Sequence, residues 1–149
     1  MPRKYSVTQV TASATANKAQ CGVTGTAAVR PQLWEVEVSS VATPADQATE
    51  WYFGRFTAWT APTSTSQAAV ALDDSDPSPT GVGFKLMTDA TMTVIVNVDV
   101  AVNLRATYRW IAAPDQYVIA GAATTKGLHV TPTSQTAAYN VSTTLIYME

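Results

Sequence analysis

Apolar and polar residues alternate with a period of two along much of this chain. In the segment LWEVEVSS, Trp34, Val36 and Val38 stand at every second position, and mostly polar residues fill the places between them. The C-terminal segment AYNVSTTLIYME repeats the pattern, with one face made of Tyr139, Val141, Leu145 and Tyr147. Successive side chains of a β-strand point to opposite faces, so both segments are predicted to be half-buried strands.

Turn-forming residues divide the chain into short segments of this kind. Proline combined with Asp, Ser, Thr or Gly recurs between them, as in residues 73–83 and 112–116. About eight strands with this spacing, and no long helix, are typical of a sandwich or jelly roll. One helical turn is predicted from Thr43 to Asp46, with Thr43 as its N-cap and Pro44 in the first helical position.

These features predict an all-β fold: a single antiparallel β-sandwich, jelly-roll-like, formed by residues 1–149 as one domain. A chain of 149 residues has the length of one ordinary domain, and it shows no internal repeat or linker. Residues 1–30 are compatible with β-structure, and two alternatives stay open for them. They form further strands, or they form an extended N-terminal arm that lies on a neighbouring molecule.

One segment, EWYFGRFTAW, is apolar on both faces, whereas a strand on the surface of a sandwich has one polar face. Trp51, Arg55 and Trp59 share one face of this segment, and further aromatic residues lie on the other. A strand with two such faces is predicted to be covered by another polypeptide.

A second two-sided segment spans residues 92–110. Its even positions are almost all apolar and are predicted to line the core, whereas its odd positions include Arg105 and Arg109. The segment is too long for one strand, so a bend, bulge or turn is expected between Asn97 and Asn103.

Arg105 and Arg109 stand among aromatic residues with no acid beside them in the sequence. In one interpretation they are surface residues whose stems cover apolar groups. In another, their guanidinium groups reach a carboxylate or carbonyl of another subunit, since Arg together with Trp and Tyr is enriched in interface cores. Contact with nucleic acid is a third interpretation, which the acidic net charge disfavours.

The composition indicates a protein surface suited to being covered by other protein. Charged residues make up 13% of the chain, about half the usual share, and the net charge is −2. Polarity comes mainly from Thr, Ser, Gln and Asn, so charge repulsion between molecules is weak. We expect no nucleic-acid partner, no membrane partner and no secretion, since the N-terminal segment lacks the apolar run of a signal peptide.

Residues that would indicate catalysis or metal binding are scarce. Cys21 and His129 are the single Cys and the single His, so a disulfide within the chain and a Cys-based zinc site are excluded. The acids of DDSDPSPTG allow a loose calcium site, but the spacing does not fit an EF-hand and a solvated turn is the default. No nucleotide-binding or hydrolase motif occurs, so we expect no catalytic residues, no cofactor, no metal and no enzymatic activity.

Two blocks resemble a known class of proteins. VEVSSVATPADQATEWYFGRFTA and NLRATYRWIAAPDQYVIAGAATTKGLHV are similar to the head decoration, or cement, proteins of tailed bacteriophages. The matching pieces are the PAD turn at 44–46, the aromatic strand that reaches Arg55, and the RATYRW run at 105–110 followed by AAPDQ. The chain departs from the family pattern at Asp115, where glycine commonly follows the proline.

The resemblance implies a virion structural protein that binds the outer surface of the capsid as a homotrimer and stabilises the shell. Its partners would be the major capsid protein and other copies of itself, and it would act on the capsid surface after synthesis in the host cytoplasm. The residues expected at the protein interfaces are Arg55, Arg105, Arg109, Trp51 and Trp59.

Two other functions remain open from the sequence. A receptor- or carbohydrate-binding β-sandwich of a phage tail or fibre would use tryptophans to stack on sugars, and the candidates are Trp34, Trp51, Trp59 and Trp110. An enzyme such as a polysaccharide hydrolase would need paired acids, and no acid–base constellation can be named.

Overall fold

The computed structural model describes residues 2–13, 18–41, 44, 46–59, 65–85, 92–133 and 140–149. Within these ranges the chain forms twelve β-strands and no helix. The strands are β1 (Lys4–Ser13), β2 (Cys21–Thr24), β3 (Gln32–Val41), β4 (Ala48–Trp59), β5 (Thr65–Ser66), β6 (Val70–Ala71), β7 (Val82–Lys85), β8 (Met92–Asn103), β9 (Tyr108–Ile111), β10 (Val118–Ile119), β11 (Gly127–Pro132) and β12 (Asn140–Met148). Three of them have two residues each, too short to give a periodic signal in the sequence.

The strands form two antiparallel sheets that pack together. Sheet A has the order β10-β3-β12-β1-β6, and β9 also pairs with β3. Sheet B has the order β5-β7-β2-β11-β4-β8. The predicted antiparallel β-sandwich is therefore confirmed, while its jelly-roll character stays a prediction.

The main core lies between the two sheets. Sheet A contributes Tyr5, Val7, Leu33, Val36, Val38, Val141, Leu145 and Tyr147. Sheet B contributes Cys21, Val23, Trp51, Phe53, Val102, Leu128 and Val130. Removal of these apolar side chains from water is the main force that holds the sheets together.

Both ends of the described chain belong to the sheets. The C-terminal strand β12 lies between β1 and β3, as the alternation of its residues predicted, although Tyr139 is outside the described residues. Of the first thirty residues, β1 pairs with β12 and β6, and β2 pairs with β7 and β11. Residues 4–13 and 21–24 therefore form strands of the sheets, as in the first of the two alternatives, and an N-terminal arm is not confirmed.

The predicted burial of Trp34 is wrong because β3 contains a bulge. Glu35 pairs with Ile146 of β12, but the next pair joins Leu33 to Tyr147, so Trp34 has no residue opposite it. A bulge shifts the alternation by one residue. Leu33 therefore enters the core, and Trp34 is half-buried.

The predicted core position of the even residues in 92–110 is confirmed for Val98, Val100, Val102, Leu104, Tyr108 and Trp110, which belong to the main core or pack against it. It is wrong for Val94 and Val96, for the same reason as in β3. Val98 pairs with Phe53 and Val96 pairs with Gly54, so Asn97 is an extra residue in β8. The bulge places Val98 on the core face and Val96 on the opposite, outer face of sheet B. It lies where an irregularity was expected, and the strand ends at Asn103, where a turn leads to β9.

A small second cluster packs on the outer face of sheet B. It consists of Ala19, Phe56 and Phe84, with the half-buried Met92 against it. The rings of Phe56 and Phe84 lie 6.1 Å apart, edge to face. Phe56 sits over Gly127, where a Cβ atom would come within 2.6 Å of its Cζ atom, so glycine is needed for this close approach.

Of two turns predicted from the sequence, the structure fully describes the one at residues 113–116. Thr43, the predicted N-cap of a helical turn, lies outside the described residues. At residues 113–116 the amide of Gln116 donates to the carbonyl of Ala113 at 3.0 Å, and Asp115 has a φ of 63°. This is the turn pattern in which glycine is favoured at the third position, and Asp is one of the residues that tolerate it.

Candidate functional site

Arg109, on β9, is held by an acid of its own chain. Its Nε and Nη2 atoms donate to the two carboxylate oxygens of Glu35 at 2.6 and 2.9 Å. The Glu35 side chain is largely buried, whereas that of Arg109 is 59% exposed. These hydrogen bonds and the charge of Glu35 raise the pKa of Arg109. Arg109 therefore binds a carboxylate of its own chain, whereas one interpretation of the sequence placed that carboxylate on another subunit.

Arg105 lies in the turn between β8 and β9 and also faces an acid of this chain. Its Nη1 atom is 3.7 Å from a carboxylate oxygen of Asp46, and both side chains are exposed. Asn103 donates to the same carboxylate at 2.8 Å and accepts a hydrogen bond from the Arg105 amide. Because such exposed pairs add little stability, Arg105 remains available to a partner.

Arg55 is exposed and forms no ion pair with any described residue. It is directly opposite Leu128 on one side and Ile95 on the other. These pairs place it on the core face of sheet B, two residues beyond the buried Phe53. The core face is therefore open to solvent at Arg55, which leaves this cation accessible.

The tryptophans whose side chains the structure describes are buried or packed against other side chains. Trp51 is 2% exposed in the main core, so it has no surface to offer a partner. Trp34 has the ammonium group of Lys4 over its ring at 3.5 Å and stacks with Tyr117 at 5.7 Å. Trp110 is half-buried against the core, and the side chain of Trp59 lies outside the described part of the molecule.

Cys21 and His129 cannot act together, since they lie on opposite faces of sheet B. Cys21 pairs with Val130 and points into the main core, whereas His129 pairs with Gly22 and points outward. Burial raises the pKa of the Cys21 thiol to about 12 and lowers that of His129 to about 4. At neutral pH both groups are therefore uncharged and enclosed.

Two acids of the DDSDPSPTG segment, Asp73 and Asp76, are occupied by contacts within the chain. Asp73 accepts hydrogen bonds from the amide and hydroxyl of Ser75 at 2.9 and 2.6 Å, which lower its pKa. Asp76 pairs with Arg3 at 3.4 Å. Among the described residues, no group of three or more His, Cys, Asp or Glu is placed to hold a metal ion.

Two open depressions lie on the surface. One, of about 280 Å³, is lined by Pro2, Arg3, Lys4, Leu72, Asp73 and Asp76, and the ion pair Arg3–Asp76 lies in it. The other, of about 350 Å³, lies between residues 66–69 and 78–83 and has no ionisable side chain in its lining. Neither brings a nucleophile and a base together.

The edge of sheet B formed by β8 is a surface suited to protein contact. β8 pairs with β4 on one side, and no described strand pairs with its other side. The bulge at Asn97 turns Val94 and Val96 onto the outer face, where they are 39% and 42% exposed. Edge strands with exposed aliphatic side chains are sites where another chain can add.

Sequence reasoning did not assign Val94 and Val96 to an interface. Their place in an even-numbered apolar series predicted a core face. A sequence signal for the bulge does exist, because Asn97 interrupts the valines, and its Oδ1 atom accepts a hydrogen bond from the Arg55 amide at 3.3 Å.

Comparison with known family models, curated proteins and solved structures found no match for this chain. No described segment is a helix long and apolar enough to cross a membrane.

Proposed function

We propose that this chain is a non-enzymatic structural protein of a bacteriophage virion. In this proposal it is a decoration protein that binds the outer surface of the capsid as a homotrimer and stabilises the shell. The likeness of residues 36–58 and 103–130 to such proteins suggests the class. The geometry supports the general role, which is adhesion through a rigid β-sandwich.

The observation that carries the proposal is the long edge strand β8, which exposes Val94 and Val96 on a molecule with little surface charge. An edge of this kind favours association with other polypeptides. The interface residues expected from the sequence differ in whether they are accessible to a partner. Arg55 and Arg105 stay as candidates, Arg109 is engaged with Glu35, and Trp51 is set aside because it is buried.

The alternative of a carbohydrate-binding tail or fibre protein gains no support from the described tryptophans. Stacking on a sugar needs an open ring face. Trp51 is buried, and the ring of Trp34 is in contact with Lys4 and Tyr117.

Light scattering and particle binding test the proposal. The purified protein should have a mass three times that of a single 15.8 kDa chain. It should also sediment with capsids of the phage or prophage that encodes it. Binding should saturate at a fixed number of copies per shell, and capsids already carrying the protein serve as the control. A monomer that never binds these capsids would contradict the proposed function.

A further inference from the structure

Strand β8 differs from the other edges of the sandwich in its length. It has twelve residues, whereas β9 has four and β5, β6 and β10 have two each. Natural proteins usually keep edge strands short or protect them with lysine, proline or inward-pointing charge. β8 contains no lysine and no proline, and its single charged residue is Asp99. Since no described strand pairs with its free edge, this edge is open to another strand.

Asp99 belongs to a pair of carboxyl groups on the outer face of sheet B. It lies opposite Tyr52, and Glu50 lies two residues from Tyr52 on the same strand. Glu50 accepts hydrogen bonds from the hydroxyls of Thr133 at 2.6 Å and Tyr52 at 3.4 Å. Loss of solvent around Asp99, the charge of Glu50 and a hydrogen bond between the two raise the pKa of Asp99.

No cation of the chain balances this pair. All nine Lys and Arg residues lie in the described ranges, and their ion pairs are with Asp76, Asp46 and Glu35. A second copy meeting β8 across a two-fold axis would bring a second pair of the same acids to the new sheet. Like charges on one face of a sheet are destabilising, so the charge pattern disfavours pairing of β8 with β8 of a second copy.

We propose that the free edge of β8 binds an extended segment of another polypeptide, which adds to sheet B as a seventh strand and places a Lys or Arg beside Asp99. Main-chain hydrogen bonds to β8 would supply affinity. On the outer face, aliphatic side chains of the segment would cover Val94 and Val96, and its cation would balance Asp99 and Glu50. The inference rests on the proposed function only for the statement that this polypeptide is a capsid subunit.

The bulge at Asn97 limits which segments fit. Outward-facing positions of β8 are apolar before the bulge, at Val94 and Val96, and acidic after it, at Asp99. The bound segment must therefore carry its aliphatic and basic outward residues in separate halves. Acidic segments are excluded by charge, and segments basic throughout lack contacts to the valines.

A random library of twelve-residue peptides, selected on the full chain, tests this inference. Enriched peptides should alternate apolar and polar residues and contain Lys or Arg in one half. Hydrogen exchange should show new protection of β8 amides when such a peptide binds. Peptides that are acidic, or that protect amides elsewhere, would overturn the inference.

Substitutions in β8 test whether this strand binds the peptide. The double change Val94→Lys and Val96→Lys should weaken binding of the selected peptide at least about tenfold, because lysines block an edge and remove the apolar contacts to the aliphatic half of the peptide. The matched control is Val70→Lys on the edge strand β6, where valine is 60% exposed, and it should leave affinity within about twofold. Asp99→Asn should remove the preference for a basic residue. Retained affinity in the double variant would contradict the proposal.

Two outcomes separate this inference from the proposed function. If the chain binds capsids equally well with and without the lysines at 94 and 96, the capsid function stands and the β8 inference fails. If peptides bind β8 but the chain never binds capsids, the inference stands and the capsid function fails. Protection of β8 amides that rises with concentration of the chain alone would assign the edge to a second copy and overturn the inference.

Discussion

Arg109 holds both carboxylate oxygens of Glu35 across neighbouring strands, and this contact makes a surface cation part of the fold. Glu35 is buried, and a buried carboxylate without a cation is costly. Arg105 faces the exposed Asp46, which water can solvate in its place. Two arginines that look alike in the sequence therefore have different physical roles.

Substitution of the two arginines should separate these roles. We expect Arg109→Ala to lower the urea midpoint clearly, because it leaves Glu35 buried without its partner, whereas Arg105→Ala should change it little. Glu35→Gln in the Arg109→Ala background should restore part of the loss. Equal midpoints for the two alanine variants would contradict this assignment.

His129 should make stability depend on pH. Its pKa falls from 6.5 to about 4 because it is buried, so the folded state takes up the proton less readily than the unfolded state. Its contribution is complete above pH 6.5 and is lost as pH falls toward 4. Between pH 7.5 and 5 the loss should be about 2 kcal/mol, measured by urea unfolding.

His129→Gln is the control for this pH dependence, because glutamine does not titrate and can still form a hydrogen bond with Thr131, which lies 2.8 Å from His129 Nδ1. Since the chain has a single histidine, the variant should lose less stability than the natural protein over the same interval. Identical pH profiles would show that another group is responsible.

Asp115 occupies a backbone conformation that glycine adopts more readily. Its φ of 63° lies in the left-handed region. Asp115→Gly should raise the free energy of unfolding by up to about 1 kcal/mol, because it relieves the steric cost there, although glycine also loses more entropy on folding. Asp115→Val should lower it, since β-branched residues avoid positive φ. Chemical unfolding measures the free energy of unfolding of both variants. A lower value for Asp115→Gly than for Asp115→Val would contradict the turn geometry.

At the scale of elements, two bulges decide which residues the strands bury. In β3 the bulge at Trp34 moves Leu33 into the core, and in β8 the bulge at Asn97 moves Val96 out of it. Each inserts one residue, and a shift of one residue exchanges the faces of a strand. The exposed valines of β8 are a consequence of this geometry.

The packing of sheet B on its outer face depends on glycine at position 127. A methyl group there would meet the Val23 carbonyl oxygen and come within 2.6 Å of the Phe56 ring. Gly127→Ala should therefore cost about 1–3 kcal/mol through overpacking. Gly121→Ala is the matched control, since the atoms nearest to a Cβ atom there all belong to the flexible Lys126 side chain, and it should stay within about 0.5 kcal/mol. Similar losses in both variants would contradict this packing.

At the scale of the whole molecule, the proposed homotrimer predicts that stability depends on concentration. Association stabilises the folded chain by mass action, so a hundredfold increase in concentration should raise the thermal midpoint by several degrees. Scanning calorimetry at two concentrations measures this, with the oligomeric state at each followed by light scattering. A midpoint independent of concentration would contradict a reversible trimer.

Features that depend on residues close together in the chain could be predicted from the sequence, whereas features that depend on contacts between distant residues could not. The C-terminal strand was predicted because alternation within one segment reports a buried face directly, as Val141 and Leu145 show. The partner of Arg109 was not predicted, because Glu35 is 74 residues away and becomes its neighbour only when β9 pairs with β3. The exposure of Val94 and Val96 was missed because it depends on the register with β4.

The sequence by itself determined the all-β class, the position of the irregularity in residues 92–110 and the low surface charge, since these depend on local backbone preference and composition. The tertiary structure alone decided which faces are buried, which acids hold the arginines and which edge is left open. Those features follow from the pairing of strands distant in the chain, and a single inserted residue changes the pairing without changing the local pattern.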